Sequence, residues 1–248
     1  MSAPTVVLIT GASRGIGKGL ATTFLGRDNT TVVAAVRSAA SAEPLASVSK
    51  GAGSKLVVVE IDSSEEKAPT VAVQELVSKH GIDHLDIVIA NAGISTDFSP
   101  IAKLPVHVLK RHLEVNAYGP LLLFQAVLPL LQKAAAPAKF VALGSPMGSI
   151  SAMETRPFPM SAYGVSKAFV HYITRKIHLE HQDIISFSVD PGFVQTDMGN
   201  AGAAFFGMKE ATTTISDSVN FIVSTVDSAT REKTSGHFPT IEGGDFAW

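Results

Sequence analysis

Thr5-Val6-Val7-Leu8-Ile9-Thr10-Gly11-Ala12-Ser13-Arg14-Gly15-Ile16-Gly17 decides the fold. The first part, Thr5 to Thr10, is an unbroken β-branched and apolar run. That pattern suits a strand buried on both faces of a parallel sheet. It passes straight into a glycine-rich turn, and Ile16, Leu20, Phe24 and Leu25 then recur at helical spacing. Strand, glycine turn and helix in that order are the context in which a glycine motif carries meaning. Glycines let the backbone turn tightly and approach a pyrophosphate, and the helix N-terminus offers free N–H groups and a positive dipole end. The spacing is Gly-x-x-x-Gly-x-Gly rather than the commoner Gly-x-Gly-x-x-Gly. A turn without a ligand is the plainer reading. It leaves unexplained why Gly11, Gly15 and Gly17 cost helix stability beside Ser13 and Arg14.

Outward from this unit, strands and helices alternate. Thr31 to Val36 reads as a second strand, followed by Arg37. There, about twenty residues past the glycine turn, an acidic residue would hold a ribose 2′-hydroxyl. Arginine instead, with Arg14 in the turn, favours a 2′-phosphate through charge-assisted hydrogen bonds. NADP(H) is therefore expected over NAD(H). Lys55 to Ile61 is a third strand with Asp62 at its end, and Pro69 to His80 a helix. Leu85 to Ala90 is a fourth strand, ending in Asn91-Ala92-Gly93, small enough for backbone to lie against a cofactor. Pro105 to Gln132 reads as helical, with a bend expected near Gly119-Pro120. Asn116 lies inside it, either as a satisfied buried amide or as the mark of a kink that binds water. Lys139 to Leu143 is a fifth strand, closed by Gly144-Ser145, and Ile184 to Val189 a sixth, closed by Asp190-Pro191-Gly192-Phe193-Val194-Gln195-Thr196. Residues 197–214 are rich in Gly and Ala yet carry Met198, Phe205, Phe206 and Met208, which suggests a lid over an apolar site. Ser216 is the expected cap of a helix through Val226, and His237 to Ile241 the expected last strand. The whole of 1–248 reads as one domain, a Rossmann-type doubly wound parallel α/β sheet of about seven strands flanked by helices.

Chemistry concentrates in Ser161-Ala162-Tyr163-Gly164-Val165-Ser166-Lys167, which opens a helix reaching about His181. Residues four apart share a helix face, so Tyr163 and Lys167 point the same way. A free phenol titrates near pH ~10. An adjacent ammonium is expected to lower that value toward the range useful for acid–base work. A Tyr four before a Lys is common on solvated faces, so the pair gains weight only from the other stretches.

Composition narrows the classes. The chain has 248 residues, 46% hydrophobic and 17% charged, with net charge −2 and no cysteine. A sizeable core is affordable, and no basic cluster suits nucleic acid. Disulfides, thiol nucleophiles and Cys-ligated metal are excluded, and no metal is expected. Met1-Ser2-Ala3-Pro4 lacks a basic leader pattern, and the most apolar run, Leu121 to Leu131, is too short to span a bilayer. A cytoplasmic protein with no membrane partner is expected.

Taken together, Thr10 to Gly17, Asn91-Ala92-Gly93, Asn116, Ser145, Tyr163-x-x-x-Lys167 and Pro191-Gly192 resemble the short-chain dehydrogenase/reductase family over the whole chain. Gly19, Leu123 to Ala126, Ala162 to Lys167, Asp190 to Gly199 and Trp248 are further similar to its fungal norsolorinic acid ketoreductase branch, which reduces aromatic polyketide ketones with NADPH. The resemblance implies Tyr163 as general acid, Lys167 holding the nicotinamide ribose, Ser145 orienting the carbonyl and Asn116 holding a relay water. It implies Gly11, Ser13, Arg14, Ile16, Gly17, Arg37, Asp62, Asn91, Gly93, Pro191, Val194 and Thr196, with Tyr163 and Lys167, along the cofactor. Met147, Met160, Phe205 and Phe206, beside Ser145 and Tyr163, are the candidate substrate lining. It also implies a homodimer or homotetramer. The chain departs from the family at Gly144, where a serine is usual, at Ala90, and in a long Ser145–Tyr163 gap carrying Met153. A small ketone or secondary-alcohol substrate stays open, as does a non-catalytic NADP(H) sensor.

Overall fold

The computed structural model describes residues 3–248; the reading of Met1 and Ser2 lies outside the described residues. Six parallel strands form one sheet in the order β3-β2-β1-β4-β5-β6. They are β1 (Thr5–Thr10), β2 (Thr30–Val36), β3 (Lys55–Glu60), β4 (Ile87–Ala90), β5 (Ala138–Leu143) and β6 (Ile184–Val189). The order reverses between β1 and β4, which opens a crevice at their carboxyl ends.

Alternation along each strand sorts side chains to two cores. Val7 and Ile9 pack with Leu20, Phe24 and Leu25 of α1 (Gly15–Leu25) and with Val219, Ile222 and Val226 of α8 (Ile215–Ser228). Val6 and Leu8 face the other way, into a core that includes α3 (Ala68–His80), α5 (Gly119–Leu131) and α6 (Ser161–Glu180). Each fully buried leucine or phenylalanine contributes about 1.5–3 kcal/mol. The remaining helices are the short α2 (Glu43–Ala46), α4 (Val106–Leu113) and α7 (Asp197–Phe205). The apolar stretch Val106–Leu131 is long enough to cross a membrane by length and composition. Its Leu123, Phe124, Val127, Leu130 and Leu131 are instead buried in the second core.

Three expectations are corrected. The sheet has six strands among the described residues, not seven. Residues 237–241 make only isolated bridges, Asp190 to Thr240 and Pro239 to Asp245. Pro239 lacks an N–H to donate, and Gly243 and Gly244, both with positive φ, turn the chain back on itself. The helical region does not break at Gly119-Pro120. A π-helical turn over Glu114–Tyr118, centred on Asn116, joins α4 to α5, and such turns concentrate at functional sites. Finally, α8 is capped by Thr214, whose side chain accepts from Asp217 N–H, rather than by Ser216.

Candidate active site

The glycine turn is closely packed. Gly11 and Gly15 have φ of +65° and +53°, a region L side chains avoid. At Gly17 a Cβ would lie 2.2 Å from the Gly11 carbonyl oxygen and 2.5 Å from Asn91 Nδ2. Asn91 donates to the Thr10 carbonyl at 2.8 Å and the Gly11 carbonyl at 3.3 Å. Thr10 Oγ1 accepts from the N–H groups of Asn91 and Ala92. Asn91 thus braces the turn from β4, instead of presenting its amide to the crevice. At the start of α1, Arg14 occupies the cap position and offers no side-chain acceptor. Bare glycine backbone against an uncapped helix start fits a dinucleotide pyrophosphate.

The two guanidinium groups have different neighbours. Arg37 is exposed at the end of β2 and near enough to Asp62 to help hold its carboxyl below the usual range. Larger effects there come from the Ser64 N–H and hydroxyl. Arg14 reaches across the crevice to Asp197 at 2.6 Å, with both side chains exposed. Asp197 opens α7, which is capped by Thr196 through Gly199 N–H. Thr196 also touches the glycine turn, since a Cβ on Gly15 would meet its methyl at 3.1 Å. The segment 197–214 is therefore helical in its first half. It is tied back at its end, where Gln195 N–H donates to the Thr213 carbonyl and Thr213 N–H to the Phe193 carbonyl. Pro191 is partly exposed and Val194 buried on the same connection. Gly192 takes φ +85° there, its N–H held by Asp190.

Asn116 is buried and fully engaged. Its Oδ1 accepts from Ile94 N–H, and its Nδ2 donates to the Ile94 carbonyl and to Ser166 Oγ, all within 2.8–2.9 Å. The amide ties the connection that follows Asn91-Ala92-Gly93 to α6. Gly93 fits closely beside it, near Lys167.

Ser145, Tyr163 and Lys167 meet between β5 and α6. The Ser145 hydroxyl lies close enough to the phenol to act on its pKa and accepts from Met147 N–H. Lys167 donates to the Leu143 carbonyl at 2.7 Å, with Nζ 5.5 Å from the centre of the Tyr163 ring. The expected acidification of the phenol is not found. Burial dominates and pushes Tyr163 up to about 12, against the hydrogen bond from Ser145 and together with the charge of Asp190. Tyr163 keeps some exposed surface as a residue, but its phenol end is desolvated. Burial also pushes Lys167 down to about 8. With increasing pH its ammonium is therefore lost near neutrality, well before the phenol ionises. If Lys167 grips the cofactor, kcat/KM for NADPH falls above about pH 8, and Lys167→Arg moves that limb upward. An unmoved limb in the arginine variant would assign it elsewhere.

Of the candidate lining, Met147 lies on the serine turn and Met160 at the start of α6. Phe205 and Phe206 belong to an aromatic group whose other members the sequence did not flag. Phe98 stacks on Phe205 at 4.4 Å, and Phe158 meets Phe206 at 5.1 Å. Phe158 and Phe205 are 49% and 54% exposed, an apolar area that water covers poorly.

With this geometry in view, the sequence pattern of "short chain dehydrogenase" matches residues 5–204. The chain belongs to the short chain dehydrogenase family. Among curated relatives, this short chain dehydrogenase is 47% identical to the norsolorinic acid ketoreductase of Dothistroma septosporum, over 97% of this chain and 91% of that one. It is 44% identical to the norsolorinic acid ketoreductase of Aspergillus parasiticus, over 98% and 91%. Among solved structures, an NADPH-bound carbonyl reductase from chicken fatty liver superposes with TM-score 0.84 at 26% identity, over 100% of both chains. The carbonyl reductase Sniffer of D. melanogaster does so with the same score, identity and coverage.

Proposed function

We propose that this short chain dehydrogenase is an NADPH-dependent ketoreductase acting on a sizeable aromatic ketone of polyketide type. The observation that carries the reading is the meeting of the Ser145 hydroxyl and the Tyr163 phenol above Lys167. Bound NADPH would supply hydride to the carbonyl carbon. Ser145 holds the carbonyl oxygen. As the C=O π pair moves onto that oxygen, Tyr163 donates its proton, which gives a secondary alcohol and a phenolate. Lys167 holds the ribose hydroxyls, while Asn116 keeps the loop and α6 in register. Gly11, Ser13, Ile16, Gly17 and Gly93 line the pyrophosphate and ribose, and Pro191, Val194 and Thr196 the nicotinamide amide.

The named relatives and the aromatic group of Phe98, Phe158, Phe205 and Phe206, with Phe158 and Phe205 exposed, support an aromatic substrate. Residues 197–214 serve as its lid. A panel of aryl and short aliphatic ketones, each assayed with NADPH, tests the reading. Turnover of none, or of aliphatic ketones alone, would overturn it.

The 2′-phosphate is assigned to Arg37 and Arg14. Arg37→Asp is expected to shift the NADPH-to-NADH ratio of kcat/KM toward NADH by at least about tenfold, as loss of one charge-assisted contact warrants. An unchanged ratio would remove Arg37 from the phosphate site.

Self-association is proposed through α6. Val165, Tyr172 and Leu179 are 44%, 67% and 57% exposed and recur every seven residues along one face. A buried partner face would explain them. Light scattering is expected to give a dimer or tetramer, and Tyr172→Glu a smaller species. A monomeric wild type rejects the assignment. A cytoplasmic setting suits an NADPH-consuming reaction, and cell fractionation tests it.

A further inference from the structure

His171 lies one turn beyond Lys167 on the same face of α6, buried at 3% exposure, and the reaction above makes no use of it. Its Nε2 accepts a hydrogen bond from the main-chain N–H of Ser145 at 3.3 Å. Burial, helped by the charge of Lys167, pushes its pKa down to about 3, against a contact with the Gly148 backbone. The ring is thus neutral at any working pH. With Nε2 accepting, the proton is assigned to Nδ1, which is buried without a hydrogen-bond partner. The imidazole therefore spans the turn that carries Ser145, touching it at residue 145 and again near residue 148.

The ring is wedged in place. Phe238 lies 4.3 Å from it and Trp248 5.5 Å, and these two aromatic rings stack on each other with only 13° between their planes. Arg175 covers Trp248 and donates to the Gly236 carbonyl. The Ala247 carbonyl accepts from Ser149 Oγ, on the same loop as the serine turn. Gly144 has room for no side chain. A Cβ there would lie 2.8 Å from His171 Nε2 and 2.6 Å from the Phe238 ring. Gly144, His171 and Phe238 therefore pack as one unit.

We propose that His171, held by Phe238 and Trp248, is a positioning residue that fixes the main-chain N–H of Ser145 and so aims the Ser145 hydroxyl at the substrate carbonyl. This rests on the ketoreductase role of Ser145. The physical reason for an imidazole is that a buried N–H left unpaired is costly. Without the acceptor, the turn relaxes and carries the hydroxyl with it.

The test uses the full chain with NADPH and an aryl ketone, and compares His171→Gln with His171→Asn. The glutamine carbonyl reaches the place of Nε2, whereas the asparagine carbonyl stops near that of Nδ1. His171→Asn is expected to lower kcat by about tenfold to a hundredfold, as misplacement of a catalytic group does, with NADPH affinity within about threefold. His171→Gln is expected to stay within about threefold of wild type on the same grounds. Because the ring does not titrate, the pH limbs stay put in both. In a Ser145→Ala background, His171→Asn is expected to cost less than about twofold more, because the two act as one unit. Equal kcat in the two His171 variants overturns the proposal, as does a full further loss in the Ser145→Ala background. Should His171→Asn fail to fold, the glutamine variant decides alone: a kcat as low as that of Ser145→Ala overturns the proposal, and retained turnover supports it. A Ser145→Ala enzyme with wild-type turnover is a separate failure, that of the serine role itself.

Discussion

Tyr163→Phe is expected to lower kcat for ketone reduction by about a thousandfold, the scale of a lost general acid, while NADPH binds within about threefold of wild type. The substitution removes only an oxygen at a desolvated position, so packing and the cofactor crevice stay as they are. What is lost is the proposed proton source beside Ser145. A phenol pushed up to about 12 is still a competent acid here. The oxygen it protonates becomes an alkoxide as hydride arrives, and that centre is a far stronger base, bulk water itself having a pKa of ~15.7. Proton transfer therefore stays downhill late in the reaction, although Lys167 does not acidify the phenol. Single-turnover decay of NADPH absorbance with a saturating aryl ketone measures the step directly. A phenylalanine variant that turns over at the wild-type rate would dismiss Tyr163 as the acid.

Gly17→Ala is expected to cripple cofactor binding, raising the NADPH Kd by about a hundredfold, equivalent to ~2.7 kcal/mol. The added methyl would sit 2.2 Å from a carbonyl oxygen and 2.5 Å from the Asn91 amide. Both are anchored groups, so the turn must open and break the Asn91 bonds to Thr10 and Gly11. Overpacking of this kind costs about 1–3 kcal/mol in stability as well, which lowers Tm by several degrees in a chain of this size. Gly26→Ala is the control. Gly26 has ordinary helical φ, and a Cβ there meets nothing closer than 3.6 Å, so Tm and Kd should stay put. Equal Kd values for the two variants would show that close approach at Gly17 does not shape the site.

Some of this was legible from one chain and some was not, for physical reasons. The glycine turn and the Tyr163–Lys167 pair are local: backbone sterics dictate the first and helical spacing the second. Strand β6 matched residue for residue, because it is buried on both faces and bounded by turn residues. The π-helical turn left no such mark. Leu113 to Tyr118 reads as ordinary helix, and the visible breaker, Gly119-Pro120, opens α5 instead. The cap of α8 was placed two residues late, at Ser216, because a hydroxyl residue before an apolar run is a cap signal wherever it falls. Asp217, three residues after Thr214, decides it through a reciprocal hydrogen bond. Arg14 pairs with Asp197, 183 positions away, and the Phe98–Phe205 stack and the His171–Ser145 contact are likewise tertiary. No periodicity encodes them. The phenol's pKa was misjudged because desolvation depends on what surrounds a side chain, and sequence spacing shows only what lies four residues along.

Recombination with homologous reductases meets a constraint at Glu114–Tyr118. Each residue of a regular helix turns it by about 100°, so restoring a plain α-helix across this stretch would swing Arg111 and His112 around the axis relative to Leu123. Hybrids whose crossover falls before Val106 or after Leu131 keep both halves in phase. A crossover inside the wide turn with a parent whose helix is regular there should instead yield protein that loses the Asn116 contacts to Ile94 and Ser166.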